Sequence, residues 1–258
     1  VPKVLTCEEG PPAMSAIQPT VLFVSQWAEP GTYDPRTWCR MPGGDDETAW
    51  FRACLDSLGL LGRVAYRAVR TNLGEALPQD LDAIDAVILG GSIASVHDGY
   101  EWQARILDWL GRWRATGRPF LGICGGHQLA ALALGGSVGR NPAGVTAGSL
   151  PVTRTAAGDA HFLFDGFAPD APFYFGNYDR VETIPPGATV LATRPGLPAA
   201  ALDHGGNWLS VQFHPELTAD AFATFWARED PAKAALYPPI PFCERMVQNF
   251  LAGTGVMQ

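Results

Sequence analysis

Seven consecutive residues, Gly122-Ile123-Cys124-Gly125-Gly126-His127-Gln128, follow the pattern Gly-x-nucleophile-x-Gly with cysteine at the central position. A strand that turns abruptly into a helix holds its turn residue in a strained conformation, and flanking glycines remove the side chains that would collide there. The thiol then projects at the C-terminal edge of a sheet, above the first turn of the next helix. Partial positive charge at that terminus favours thiolate, the nucleophilic form. Taken alone, the heptapeptide describes a small buried cysteine between closely packed glycines equally well.

A second group, Gln212-Phe213-His214-Pro215-Glu216, closes a strand. Residues two apart in extended chain point the same way, so His214 and Glu216 share a face. A carboxylate there can hold one imidazole nitrogen and leave the other free as a base, the logic of a triad with Glu as third member. Pro215 suits a strand end, where a missing amide donor costs little. By itself this group reads more simply as a histidine at a strand end beside a solvated glutamate. A third group, Gly90-Gly91-Ser92, ends another strand. Bare backbone there lets an amide approach a ligand and pair with that of Gly125 as an oxyanion hole, though an ordinary tight turn is the commoner use of Gly-Gly.

The elements that position these groups are legible in the hydrophobic pattern. Thr20–Ser25, Val64–Val69, Ala86–Leu89 and Pro119–Ile123 are short apolar runs typical of buried strands. Between them lie a helix opened by Asp45-Asp46-Glu47, with Trp50, Phe51, Cys54, Leu55 and Leu58 on one stripe before Gly59, and a helix marked by Trp102, Ile106, Trp109, Leu110 and Trp113. A further helix runs from Gln128 to Leu134. The alternation predicts an α/β fold: an open, mostly parallel sheet with helices on both faces. All three groups then fall at C-terminal strand ends, where open α/β sheets place their sites. From Ser149 the second half is β-rich, with strands expected at Leu150–Thr155, Pro172–Phe175, Ala188–Thr193, Ala199–Asp203 and Trp208–Phe213, and helices at Ala219–Arg228 and Phe242–Leu251. Val1–Pro19, with its four prolines and no periodicity, reads as a mobile leader with Met14-Ser15 as a candidate native start. Residues 20–258 read as a single domain with a C-terminal helical extension.

Composition narrows the function classes. The 258 residues are 47% hydrophobic and 17% charged, enough for a full core and too apolar for a disordered chain. Eighteen basic residues against 26 acidic ones leave a net charge of −8, and the basic ones are scattered, which disfavours a nucleic-acid partner. No run is long enough to span a membrane, and no secretory signal opens the chain. Cys7, Cys39, Cys54, Cys124 and Cys243 are odd in number and widely spaced, arguing against a disulfide framework or a metal cluster and for a reducing cytoplasm. His127, His97, His161 and His204 read as structural. Trp27, Tyr33 and Trp38, in the loops after the first strand, are candidates for walling a pocket.

Over roughly Thr20 to Arg228 the chain resembles the class I glutamine amidotransferase family. The resemblance rests on LGGSIASVHD (Leu89 to Asp98), LGICGGHQLAALALGG (Leu121 to Gly136) and VQFHPE (Val211 to Glu216), in family order. It implies a Cys124–His214–Glu216 triad, an oxyanion hole from the amides of Gly91 and Gly125, and substrate contact by Gln128. It implies attack of the thiolate on a glutamine side-chain amide, hydrolysis of the γ-glutamyl thioester, no cofactor, and ammonia passed to a separate synthase.

Two departures bear on the substrate. Where the family shows a His-Gly-Asp-like stretch near the amino-acid end of glutamine, this chain reads Phe175-Gly176-Asn177-Tyr178-Asp179. Asn177 and Tyr178 add bulk and change the donors. After Arg228 there is length for only about a helix or two. The leading expectation is therefore a stand-alone glutamine amidotransferase-like enzyme. A γ-glutamyl hydrolase or peptidase acting on a larger conjugate, with no ammonia transfer, is the alternative. A non-catalytic regulatory module of the same fold is a third reading, disfavoured by the intact Cys, His and Glu set.

Overall fold

The computed structural model describes residues 18–257, so the expected leader up to residue 17, with Cys7 and Met14, lies outside the described residues. The first half runs β1 (Thr20–Ser25), α1 (Glu47–Ser57), β2 (Ala65–Arg70), β3 (Ala86–Leu89), α2 (Glu101–Ala115), β4 (Phe120–Ile123) and α3 (Gly125–Ala133). The second half opens with β5 (Ser137–Arg140), β6 (Thr146–Pro151), β7 (Thr153–Arg154), α4 (Ala156–Asp159), β8 (Pro172–Asn177) and β9 (Asp179–Thr183). It closes with β10 (Thr189–Arg194), β11 (Leu197–Asp203), β12 (Trp208–Val211), α5 (Ala219–Glu229), α6 (Pro231–Ala234) and α7 (Arg245–Gly253).

An 8-stranded sheet in the order β2-β1-β3-β4-β12-β11-β10-β7 forms the centre. The pairs from β2 through β12 are parallel, and β11, β10 and β7 extend the sheet antiparallel. Its inner strands are continuous apolar runs because both faces are covered. Val21 and Phe23 pack with Phe51 of α1 and Phe250 of α7, whereas Leu22 and Val24 pack with Trp102 and Trp113 of α2 and Leu129 of α3. The expected mostly parallel α/β architecture with helices on both faces is the one observed. Among the described residues no helix is long and apolar enough to cross a membrane.

Gly59, at φ 66°, ends α1 in the left-handed conformation that favours glycine. The β-rich half departs from expectation in detail. The strand expected at Leu150–Thr155 is divided: β6 pairs antiparallel with β8 up to Pro151, and β7 joins the main sheet beside β10. Proline has no amide to continue a ladder. β5 and β9 were not expected; they pair with each other and each buries a single apolar side chain, Val138 and Val181, leaving no alternation to read. The expected helix at Phe242–Leu251 is displaced to α7, and that at Gln128 begins earlier, at Gly125.

Candidate active site

Cys124 joins β4 to α3 at φ 50°, ψ −103°, a conformation that a residue with a side chain rarely adopts. The surrounding structure holds it there. The Cys124 N–H donates to Val211 O at 2.8 Å, and the Gly126 N–H to Gly90 O at 3.1 Å, tying the turn to both neighbouring strand ends. An ideal Cβ on Gly122 would lie 2.6 Å from Gly126 O, so glycine is required for the turn to close. Gln212 Nε2 lies 3.6 Å from Cys124 Sγ as a donor. Gln212 received no role from the sequence, although it lies two residues before His214 on the same strand end and therefore faces the same way.

His214 follows β12, with its N–H donating to Tyr174 O at 2.9 Å. Its Nδ1–H donates to Glu216 Oε1 at 2.7 Å, and both residues are 5% exposed. The other carboxylate oxygen, Glu216 Oε2, is buried without a partner among the described residues. Burial pushes the imidazole towards its neutral form. The charges of Glu216 and Cys124 and the hydrogen bonds to both more than offset this, and the pKa stands well above the ordinary histidine value. His214 thus holds a proton on the cavity side of Glu216.

The two amides expected to face an oxyanion differ in their surroundings. Gly125 begins α3, so its N–H has no acceptor within the helix. The Gly91 N–H instead donates to Glu47 Oε1 at 2.8 Å, and Ser25 Oγ holds the other carboxylate oxygen at 2.7 Å. In this structure the amide of Gly91, expected to face the oxyanion, is thus engaged by the carboxyl group of Glu47 from α1. The adjacent amide nitrogen, that of Ser92, would lie 3.0 Å from an ideal Cβ on Gly125 and has no acceptor among the described residues. Gly91 must still be glycine, because a Cβ there would meet His214 Cε1 at 2.7 Å.

Glu47 is 3% exposed and turned inward, whereas its neighbour Asp46 serves the helix terminus by accepting from Thr48 N at 2.9 Å. Burial raises the Glu47 pKa from 4.5 to about 8, with the Glu216 charge adding and the Ser25 and Gly91 hydrogen bonds and the His214 charge opposing. The folded state therefore binds the extra proton between those two values, and Glu47 lowers stability as pH rises through that window. Glu47→Gln is expected to flatten the fall in melting temperature between pH 5 and 8. An unchanged slope in thermal unfolding across that range would refute the assignment.

Cys124, His214, Gln128, Asn177 and Tyr178 line one cavity of about 310 Å³. Gln128 donates through Nε2 to Asp179 O at 2.9 Å and to Gln212 Oε1 at 3.2 Å, leaving its own carbonyl oxygen for a ligand. Asn177 is buried, donating to Asp179 O at 2.9 Å, with its Oδ1 unpartnered. Tyr178 is 42% exposed, and the Arg140 guanidinium lies 4.8 Å from its ring centre. Asp179, the third residue of that altered stretch, is also in the lining; it binds Arg140 Nη1 at 3.1 Å and accepts from Ser95 Oγ at 2.6 Å. Neither Arg140, at the end of β5, nor Ser95, inside the Leu89–Asp98 motif, was assigned a role from the sequence. The expected wall is present: Trp27, Tyr33 and Trp38 all line the cavity.

His127 is fully buried and bonded to Ser210 Oγ at 2.7 Å, and burial lowers its pKa to about 3. His204 Nε2 meets the same hydroxyl at 2.7 Å. Both belong to the core rather than the cavity, as expected.

The family profile described as Glutamine amidotransferase class-I matches residues 51–230. The chain is 36% identical over 163 residues to GMP synthase [glutamine-hydrolyzing] of Aeropyrum pernix, a match covering 62% of this chain and 29% of that protein. It is 28% identical over 151 residues to gamma-glutamyl-L-1-hydroxyisopropylamide hydrolase of a Pseudomonas species, covering 56% of this chain and 51% of that one. The chain thus spans well under two thirds of either relative's length. In fold it is similar to a glutamine amidotransferase structure from Thermotoga maritima, with TM-score 0.68, 18% identity, and 91% and 97% of the two chains covered.

Proposed function

The chain belongs to the class I glutamine amidotransferase family, and from that premise we propose that it hydrolyses a γ-carboxamide, of glutamine or a γ-glutamyl amide, through a γ-glutamyl thioester on Cys124. The observation that carries this reading is the cavity wall shared by Cys124 and His214, with Glu216 fixing the His214 ring from behind. In this reading the Cys124 thiolate attacks the amide carbon. As the C–N bond breaks, His214 gives its proton to the departing nitrogen. A water then loses a proton to His214 and adds to the thioester, the C–S bond breaks, and glutamate leaves. The oxyanion of each step lies between the N–H of Gly125 and that of Ser92, which replaces the engaged Gly91.

Gln128, Asn177 and Tyr178 contact the substrate in this scheme, and residues 20–258 act as one unit. With glutamine as substrate, ammonia would pass to a separate synthase. With a larger γ-glutamyl amide no such partner is needed, and the size and aromatic lining of the cavity favour that second reading. A reducing compartment such as the cytoplasm keeps the thiol available.

Mass-spectrometric mapping after treatment with a chloroketone analogue of glutamine tests the proposal, together with glutamate release from glutamine and from γ-glutamyl amides. Modification is expected at Cys124. Burial raises the thiol pKa of both Cys54 and Cys243, which keeps them protonated and unreactive. Equal modification of Cys54 or Cys243 in the folded protein, or no glutamate from any substrate, would overturn it.

A further inference from the structure

The cavity beside Cys124 has two unlike halves. One is polar, built from Gln128, Asn177, Asp179 and Arg140. The other is a cluster of rings contributed by two elements distant in sequence. Trp38 stacks on Phe225 of α5 with centroids 5.8 Å apart and an interplanar angle of 11°, and meets Trp27 edge-on at 5.1 Å. Tyr33 meets Trp38 at 5.8 Å, and its hydroxyl is held by Asp45 at 2.6 Å. The aromatic half is therefore braced before any ligand arrives.

Charge at the rim adds a second constraint. Asp34 and Glu229 both line the cavity. Arg36 and Arg228 both pair with Asp34, at 2.9 and 2.6 Å. On the polar side Arg140 is paired with Asp179. The aromatic half thus offers apolar surface whose rim charges balance, two carboxylates against two guanidiniums, and so suits an uncharged group.

A glutamine molecule loses only ammonia from its amide and has nothing to place against rings. Resting on the hydrolase reading above, we infer that the aromatic half is a subsite for the leaving amine, and that the substrate is the γ-glutamyl amide of an apolar, aromatic amine. The zwitterionic glutamyl end occupies the polar half, and the amine's ring packs against Phe225 and Tyr33, the half-buried rings of the cluster, with buried Trp38 bracing them from behind. Attack of the Cys124 sulfur on the carbon of the γ-carboxamide forms the C–S bond and breaks the C–N bond, and the departing amine takes its proton from His214. Water then cleaves the thioester, so the net change is amide plus water to glutamate plus amine. Apolar surface transferred from water and ring–ring contact favour such an amine, whereas an anionic one such as a γ-glutamyl amino acid gives up hydration on entering an apolar subsite.

The test compares kcat/KM for γ-glutamylbenzylamide, γ-glutamylglycine and glutamine, with Phe225→Ala and Trp38→Phe beside the unaltered protein. Chloroketone labelling of Cys124 and thermal unfolding report that each variant keeps its fold and nucleophile. The benzylamide is expected to exceed the other two by at least about tenfold. Phe225→Ala should remove most of that preference while Cys124 is still labelled, and Trp38→Phe should retain it. Labelling of Cys124 combined with equal or better turnover of glutamine or γ-glutamylglycine overturns the amine subsite alone. Absence of both labelling and turnover overturns the hydrolase reading and this inference with it.

Discussion

Cys124→Ala is expected to lower γ-glutamyl amide hydrolysis at least about 10⁴-fold, and His214→Ala by a similar amount. In the proposed mechanism each change removes a group without which no thioester forms, so the double variant should be no slower than either single one. Glu216→Ala is expected to retain about a hundredfold more activity than these, because it orients the base rather than reacting. The backbone at Cys124 supplies an independent readout. A side chain at φ 50°, ψ −103° carries strain on the order of 1–3 kcal/mol. Cys124→Gly should therefore be inactive and yet melt at a higher temperature than Cys124→Ala. Steady-state kinetics and thermal unfolding check the two halves separately. Substantial turnover by Cys124→Ala would end the covalent mechanism, and equal melting temperatures would deny the strain.

Ser92→Pro carries the second large effect. Proline has no N–H, so the change removes the donor assigned to the oxyanion, and loss of one such donor costs about 10²–10³-fold in kcat. Ser92→Ala keeps the amide and gives up only the hydroxyl contacts to Trp27 O at 3.2 Å and from Ala94 N at 3.1 Å, so its kcat should stay within about tenfold. Because proline can also disturb the loop, a crystal structure of the adduct with the aldehyde analogue of glutamine provides the direct measurement. The hemithioacetal oxygen is expected within hydrogen-bond distance of the Ser92 and Gly125 nitrogens, with Gly91 still bound to Glu47. An adduct in which the Gly91 amide has turned from Glu47 to the oxygen would restore the pairing implied by family resemblance and reject Ser92.

The elements around Cys124 were legible because their signals are local. A buried parallel strand shows as an apolar run, and Trp102, Ile106, Trp109 and Trp113 fall on one helical stripe that is buried in the fold. The β5–β9 pair was not legible, since its strands contribute one buried apolar residue each and find each other across more than forty residues. The wall formed by Trp27, Tyr33 and Trp38 was visible only as a possibility of composition. Its other half, Phe225 and Trp226, lies in the helix expected at Ala219–Arg228, where nothing local sets it opposite Trp38.

By itself the sequence determined the strand–cysteine–helix turn, the shared face of His214 and Glu216, and the sheet edge at which both emerge. Each depends on spacing within a few residues, where backbone geometry leaves little choice. Only the tertiary structure decided which amide is free and what the cavity beyond Cys124 is made of. Glu47 and Gly91 are separated by 44 residues in the chain, yet one buried hydrogen bond between them engages the Gly91 amide, while that of Ser92 has no acceptor among the described residues. A backbone N–H has the same chemistry in every residue but proline, so no sequence pattern records which acceptor it will meet; packing of α1 against the β3 loop settles that.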